Sequence, residues 1–223
     1  MGGPEFYQDW IGDLFDNLVI WCNDDKSEWL IQEKLSERAT FCPGTVTGTR
    51  KPLAEGQAVY TCRQIEGKSV GMEAIVKIRL QVPPEYPASK IPAVRKRLAS
   101  TEPSSWTNQE VGSLRHFNKK GCKVTPKLFN VKRSLQEWGH SPVPGGYIMF
   151  IVMEKVPGVP LTHFWEYDMA KRNKIRAAFR KSLDWFVDFE HIFVDEKKEP
   201  MKFSEGDYIL WGLARSSARG TKW

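Results

Sequence analysis

The sequence predicts an α+β fold: a small, mostly antiparallel sheet carrying one helix, then a hinge, then a short helical segment. Three observations predict it. Ala58 to Ile65 and Glu73 to Val82 are rich in β-branched and aromatic residues and flank the turn-prone stretch Glu66 to Gly71, so they read as an antiparallel hairpin. Val111, Leu114 and Phe117 recur at helical spacing, and Gly121 follows as a helix stop. Tyr147 to Val156 opens with an unbroken apolar run to Met153, as a strand covered on both faces requires, and Pro157-Gly158 ends it.

The remaining elements follow in order. Phe6, Trp10, Ile11, Leu14, Phe15, Leu18 and Cys22 share one helical stripe, which predicts an amphipathic N-terminal helix. Trp29 to Ala39 reads as a second helix or an irregular arm, closed by Cys42-Pro43-Gly44. Residues 1–50 are thus expected to form a helical extension, 51–156 the sheet-bearing lobe and 157–223 a shortened helical lobe. Pro83, Pro84, Pro87 and Pro92 break the chain after the hairpin. Thr107 and Glu110 have the spacing of a capping box, in which the hydroxyl accepts from an amide one turn on and the carboxylate reaches back. Val124 to Val131 reads as a strand. From about Met169 a helix buries Ile175, Ala178, Phe179, Ser182, Leu183 and Phe186. Its other side carries Lys171, Arg172, Lys174, Arg176, Arg180 and Lys181, which read as a solvated face. Arg215 to Gly220 has the composition of a disordered end.

Composition narrows the function classes. Of 223 residues, 41% are hydrophobic and 27% charged, which allows a real core. The run Tyr147 to Met153 is too short to cross a bilayer, and the N-terminus lacks the basic and apolar regions of a signal peptide. Phe6 stands where a myristoylation signal wants Ser or Thr. Cys22, Cys42, Cys62 and Cys122 are scattered, with no paired spacing for zinc, and read as buried thiols of a reducing compartment, cytoplasm or nucleus. The net charge is +6, but aromatics do not interleave with the basic runs in the pattern of a nucleic-acid motif, so nucleic acid is not the expected partner. Gly67-Lys68-Ser69-Val70-Gly71 matches the spacing of a hydrolase nucleophile elbow, yet a strand follows where that motif needs a helix.

Ala74-Ile75-Val76-Lys77 resembles the Val-Ala-Ile-Lys strand of protein kinases. From about Gly56 to Leu183 the chain is similar to divergent kinase-like proteins of filamentous fungi, related to the protein-kinase and aminoglycoside-phosphotransferase group. The resemblance implies a protein-kinase-like small lobe with one αC-type helix, a hinge and a truncated helical lobe. It assigns Lys77 to phosphate neutralisation, Glu110 to the αC carboxylate that holds that lysine, and Gly56 to the phosphate loop. Glu154 and Val156 fall at the hinge, where backbone groups meet an adenine edge, and Asp188 in Val187-Asp188-Phe189-Glu190 falls at the metal-binding motif. Tyr208 to Ala214 is a second candidate for that motif, without its aspartate.

Between the last helix and Asp188 there is no room for the catalytic loop, so the resemblance implies a degenerate domain with weak nucleotide binding, ATP and Mg as ligands, and no catalytic residue. The alternatives are an active ATP-dependent phosphotransferase with unconventional catalytic groups and a protein-interaction module that binds no nucleotide. Each residue also has a plainer reading: Lys77 as a strand rung, Glu110 as a capping acid, Gly56 as a turn glycine and Asp188 as a surface acid.

Overall fold

The structure, a computed structural model, describes residues 10–42, 53–85, 87–137, 141–158, 161–187, 215–217 and 220–222. The chain divides into two compact units, Met1–Val156 and Pro157–Trp223.

Strict alternation builds the first unit. In β4 (Glu73–Val82) Ala74, Val76, Ile78 and Leu80 are buried on one side, while Ile75, Lys77 and Arg79 turn to the other. The same two-residue period runs through β1 (Val19–Cys22) and the second half of β3 (Leu53–Glu66), whereas β6 (Tyr147–Glu154) is buried on both faces from Tyr147 to Val152. With β2 (Ser27–Cys42) and β5 (Leu128–Leu135) these strands form one sheet, antiparallel at every pairing, in the order β1-β2-β3-β4-β6-β5. The sheet curls until its two edges approach each other. Asn130 of β5 donates to Asp25 in the β1–β2 turn at 3.0 Å, and Trp29 of β2 stacks on Phe129 of β5 with centroids 5.9 Å apart. Inside the curl lies the main core, including Phe15, Ile20, Ile31, Tyr60, Ile78, Phe150 and Val152. Helices α1 (Pro92–Lys96) and α2 (Ser105–Lys119) are accessories to this sheet.

This architecture corrects the expected kinase-like α+β fold with its αC-type helix: a nearly closed six-stranded antiparallel sheet dominates, and the helices are few and short. The largest departure is at the N-terminus. Residues expected to be helical contribute turns and two strands. Trp10 to Leu18 makes isolated turns, with Leu14 N–H on Ile11 O, Asp16 on Asp13 and Leu18 on Phe15. Gly12 and Asn17 adopt left-handed φ of 49° and 60°, which an α-helix cannot propagate through. The apolar stripe is real, since Ile11 and Phe15 are buried, but a turn satisfies it. In β2 the period is broken by register shifts between Ile31 and Lys34 and between Lys34 and Ser36, so strict alternation is lost and the segment escapes a strand reading.

The β3–β4 hairpin forms, with Val59 opposite Lys77, and its connection uses Gly67 and Gly71 at positive φ. Ser69 sits in that connection, its N–H held by the Gln64 side chain at 2.9 Å. Strand β5 starts four residues later than expected, at Leu128. Cys22, Cys62 and Cys122 are buried free thiols, and burial pushes the Cys22 and Cys62 thiols up to about 11 and about 12.

The second unit holds a 3-10 segment, Leu161–Glu166, and α3 (Met169–Val187). Strands β7 (Arg215–Ser217) and β8 (Gly220–Lys222) pair as a small ribbon where the composition reads as disorder. Among the described residues no helix is long and apolar enough to cross a membrane.

The stack of Trp29 on Phe129 ties the second strand to the far edge of the sheet. Trp29→Ala is expected to cost about 3–5 kcal/mol, the range for deleting a large buried aromatic, measured as a fall in the urea midpoint at unchanged slope.

Candidate functional site

The site begins with the outer face of β4. Lys77 and Arg79 are two residues apart on the strand, so both project away from the core. Helix α2 covers the neighbouring ground: Val111 and Leu114 pack on Tyr147, Met149 and Ile151 of β6. That packing carries Glu110 over β4.

Local chemistry fixes α2 at both ends. Ser104 is its N-cap, accepting from the Thr107 N–H at 3.0 Å. At the other end Gly121 takes φ 69°, its N–H donates to Asn118 O, and Cys122 N–H donates to Phe117 O, the pairing of a Schellman motif. The expected capping box of Thr107 and Glu110 does not form, because the N-cap lies one turn earlier. Thr107 is a capped residue rather than the cap, and Glu110 is relieved of the capping role that would compete with Lys77.

Glu110 accepts from Lys77 Nζ at 2.5 Å and from the Arg79 guanidinium. The other side of Arg79 binds Glu55 of β3. Glu55 is 2% exposed and also accepts from Ser104 Oγ at 2.8 Å, Thr107 Oγ1 at 2.6 Å and Tyr147 OH at 2.6 Å. A continuous chain of charge-assisted hydrogen bonds thus runs from Tyr147 through Glu55, Arg79 and Glu110 to Lys77. Arg38 of β2, bonded to Gln57 at 3.3 Å, adds its charge to the Lys77 environment. Of these five charged groups three are cations and two are carboxylates.

The electrostatics follow the burial. Desolvation holds the Lys77 ammonium below the usual lysine range, with the Glu110 hydrogen bond opposing it and Arg79 adding to it. Burial by itself would raise the Glu110 carboxyl, but the Lys77 hydrogen bond and the Arg79 charge outweigh it and hold Glu110 below the usual carboxylate range. The result is an ammonium fixed in position, partly dehydrated and still reachable, since the Lys77 side chain keeps 16% of its exposure.

Of the residues the sequence singled out, Lys77 and Glu110 come together. Gly56 does not join them. It lies in mid-strand between Ala39 and Leu80, not in a loop. A Cβ there would stand 3.1 Å from Val82 Cγ1 and 3.8 Å from Trp10 and Ile11, so the glycine allows the N-terminal turn to press onto the sheet. Glu154 ends β6, opposite Ala74. Its N–H donates to Lys127 O at 2.8 Å and its carboxylate accepts from Lys127 N–H at 3.1 Å. Val156 follows the strand and is exposed. Lys77 faces Ile151 across the β4–β6 ladder, about 10 Å along the strand from Glu154. Asp188 lies outside the described residues.

Arg79, Glu55 and Arg38 are the members the sequence reading missed. The two-residue period of β4 was the available signal for Arg79. Glu55 carries no sequence signal, because its donors come from residues 24 to 92 positions away.

Stability has an acid limb with a defined sign. Because Glu110 is held below its ordinary value of 4.5, its contribution is complete above that pH and is lost as pH falls through the lower folded value. Glu110→Gln is expected to flatten that limb and to lower stability at neutral pH by about 2–3 kcal/mol, the worth of a hydrogen bond to a charged group. Urea unfolding across the acid range measures both effects. No family model, curated protein or solved structure matches this chain.

Proposed function

We propose that this chain is a nucleotide-binding domain that holds the phosphates of ATP at Lys77 without transferring them. The observation that carries the reading is the convergence of Lys77 and Glu110, which lie 33 residues apart on a strand and a helix and meet at 2.5 Å. A lysine pinned by a carboxylate, partly desolvated and flanked by Arg79 and Arg38, is a preorganised point charge for an anionic oxygen. The excess of cations over carboxylates in this group favours an anion over a neutral ligand.

The base would meet the chain around Val156, an exposed residue, since the Glu154 N–H is already committed to Lys127. Magnesium would arrive with the nucleotide. Binding without transfer is the part of this proposal that comes from the resemblance, which would look for a catalytic loop after α3. Helix α3 runs to Val187, and Asp188 is the next residue, so no segment separates them to carry an acceptor-orienting aspartate and a metal-binding asparagine.

Thermal unfolding with and without Mg-ATP tests it. At a free nucleotide concentration one hundred times Kd, a ligand that binds only the folded chain stabilises it by about 2.7 kcal/mol. The wild type is expected to show a raised midpoint, and Lys77→Met to show none relative to its own unliganded midpoint. No shift in a folded wild type overturns the reading and leaves Lys77–Glu110 as a tie between α2 and the sheet. Label transferred from ATP to any acceptor overturns the second half of it.

A further inference from the structure

The charge of this protein is not spread evenly. The whole chain has 33 Lys and Arg against 27 Asp and Glu, a net +6. Between Asp168 and Asp184 lie Lys171, Arg172, Lys174, Arg176, Arg180 and Lys181, with no acid among them. This stretch alone carries +6, and the remaining 27 cations and 27 acids cancel. With Asp184 in its last turn, α3 as a whole carries +5 of the net +6.

The helix divides it in two. One side is turned inward: Ile175 and Phe179 are half-buried, and Arg176 is 4% exposed with its guanidinium over the Phe164 ring at 5.4 Å. Arg172 lies over Trp165 at 5.7 Å, and Lys171 Nζ over Tyr167 at 3.5 Å. These cation–aromatic contacts lock the 3-10 segment to the first turns of α3. The opposite side is exposed and holds Lys171, Lys174 and Lys181 with Ala170, Ala177 and Ala178 between them. At a rise of about 1.5 Å per residue the lysine row is about 15 Å long.

We propose that this lysine face of α3 docks on the phosphate backbone of duplex DNA, without reading its sequence. Charge complementarity selects a polyanion: a helix bearing +5 of the chain's net +6 meets a rod with one negative charge per about 1.7 Å of axis. The three alanines let the helix backbone approach closely. They also decide against a membrane, because this face presents no bulky apolar side chain to enter a bilayer. Lysine and alanine contact phosphates but carry no donor–acceptor pattern for a base edge, which is why binding is indifferent to sequence. The sequence alone argued against nucleic acid because aromatics do not interleave with the basic run, but docking on phosphates without reading bases needs none.

Fluorescence anisotropy of a labelled mixed-sequence DNA duplex with the full chain tests the proposal. Binding is expected to weaken with salt at a logarithmic slope of about −3, one unit per lysine. The double charge reversal Lys174→Glu with Lys181→Glu is expected to cost about tenfold or more in affinity and to remove about two units of slope. Its thermal midpoint should stay within a degree or two of the wild type, because both side chains are exposed. The double replacement by Arg should keep the affinity. Absence of binding at low salt, an affinity unchanged by the charge reversal, or tighter binding to single-stranded RNA or to phosphatidylserine vesicles than to the duplex each overturns it. Because the nucleotide reading concerns Lys77, Lys77→Met should leave DNA binding intact.

Discussion

Glu55 is the group around which the first unit is organised. A carboxylate at 2% exposure must have its charge and lone pairs met from within, or burial costs several kcal/mol. Glu55 meets that demand with four donors from three other places: Arg79 on β4, Ser104 and Thr107 at the start of α2, and Tyr147 on β6. These are groups that no local rule brings together. Satisfying one carboxylate therefore sets the height of α2 above the sheet, and with it the position of Glu110. A partly satisfied network of this kind would be worse than an apolar one, so the arrangement holds together or fails together.

Lys77 is the open end of that network. Every other charge in the chain from Glu55 to Glu110 has partners within the protein on two sides or more, whereas the ammonium has one carboxylate and a remaining path to solvent. Preorganisation and availability are thus separated. Buried groups hold the geometry, and the terminal lysine is free to answer to a ligand without the network being rebuilt. The same separation appears in α3, where Arg172 and Arg176 are spent on aromatic rings while Lys174 and Lys181 face outward.

The curl of the sheet depends on a different force. Its interior is filled from both margins, by Trp29 and Ile31 of β2 and by Phe150 and Val152 of β6, with Phe15 from the N-terminal turn edge-on to Phe150 at 5.7 Å. Gly56 is where that turn can press closest. A residue expected in a phosphate loop thus belongs to the packing of the core, and what marks it is the absence of a side chain rather than freedom of φ.

Several features were legible in the residues themselves. The β3–β4 hairpin, β6, the body of α2 with its glycine stop, and the amphipathic α3 follow from period, propensity and turn chemistry, all of which act within a few residues. Lys77 and Glu110 were legible as a pair only through the resemblance of their surroundings to another family's pattern. The tertiary structure decided the rest. Turn residues and bulges satisfy the same apolar demand without a helix, so two segments expected to be helical became turns and the strands β1 and β2 of a nearly closed sheet. The helix starts one turn earlier than expected, so Ser104 is the N-cap and Thr107, inside the first turn, turns its Oγ1 to Glu55. Arg79 and Glu55 entered the site because burial of charge is a condition on the whole fold: it is met by whichever donors the folded chain brings near, whatever their distance in sequence.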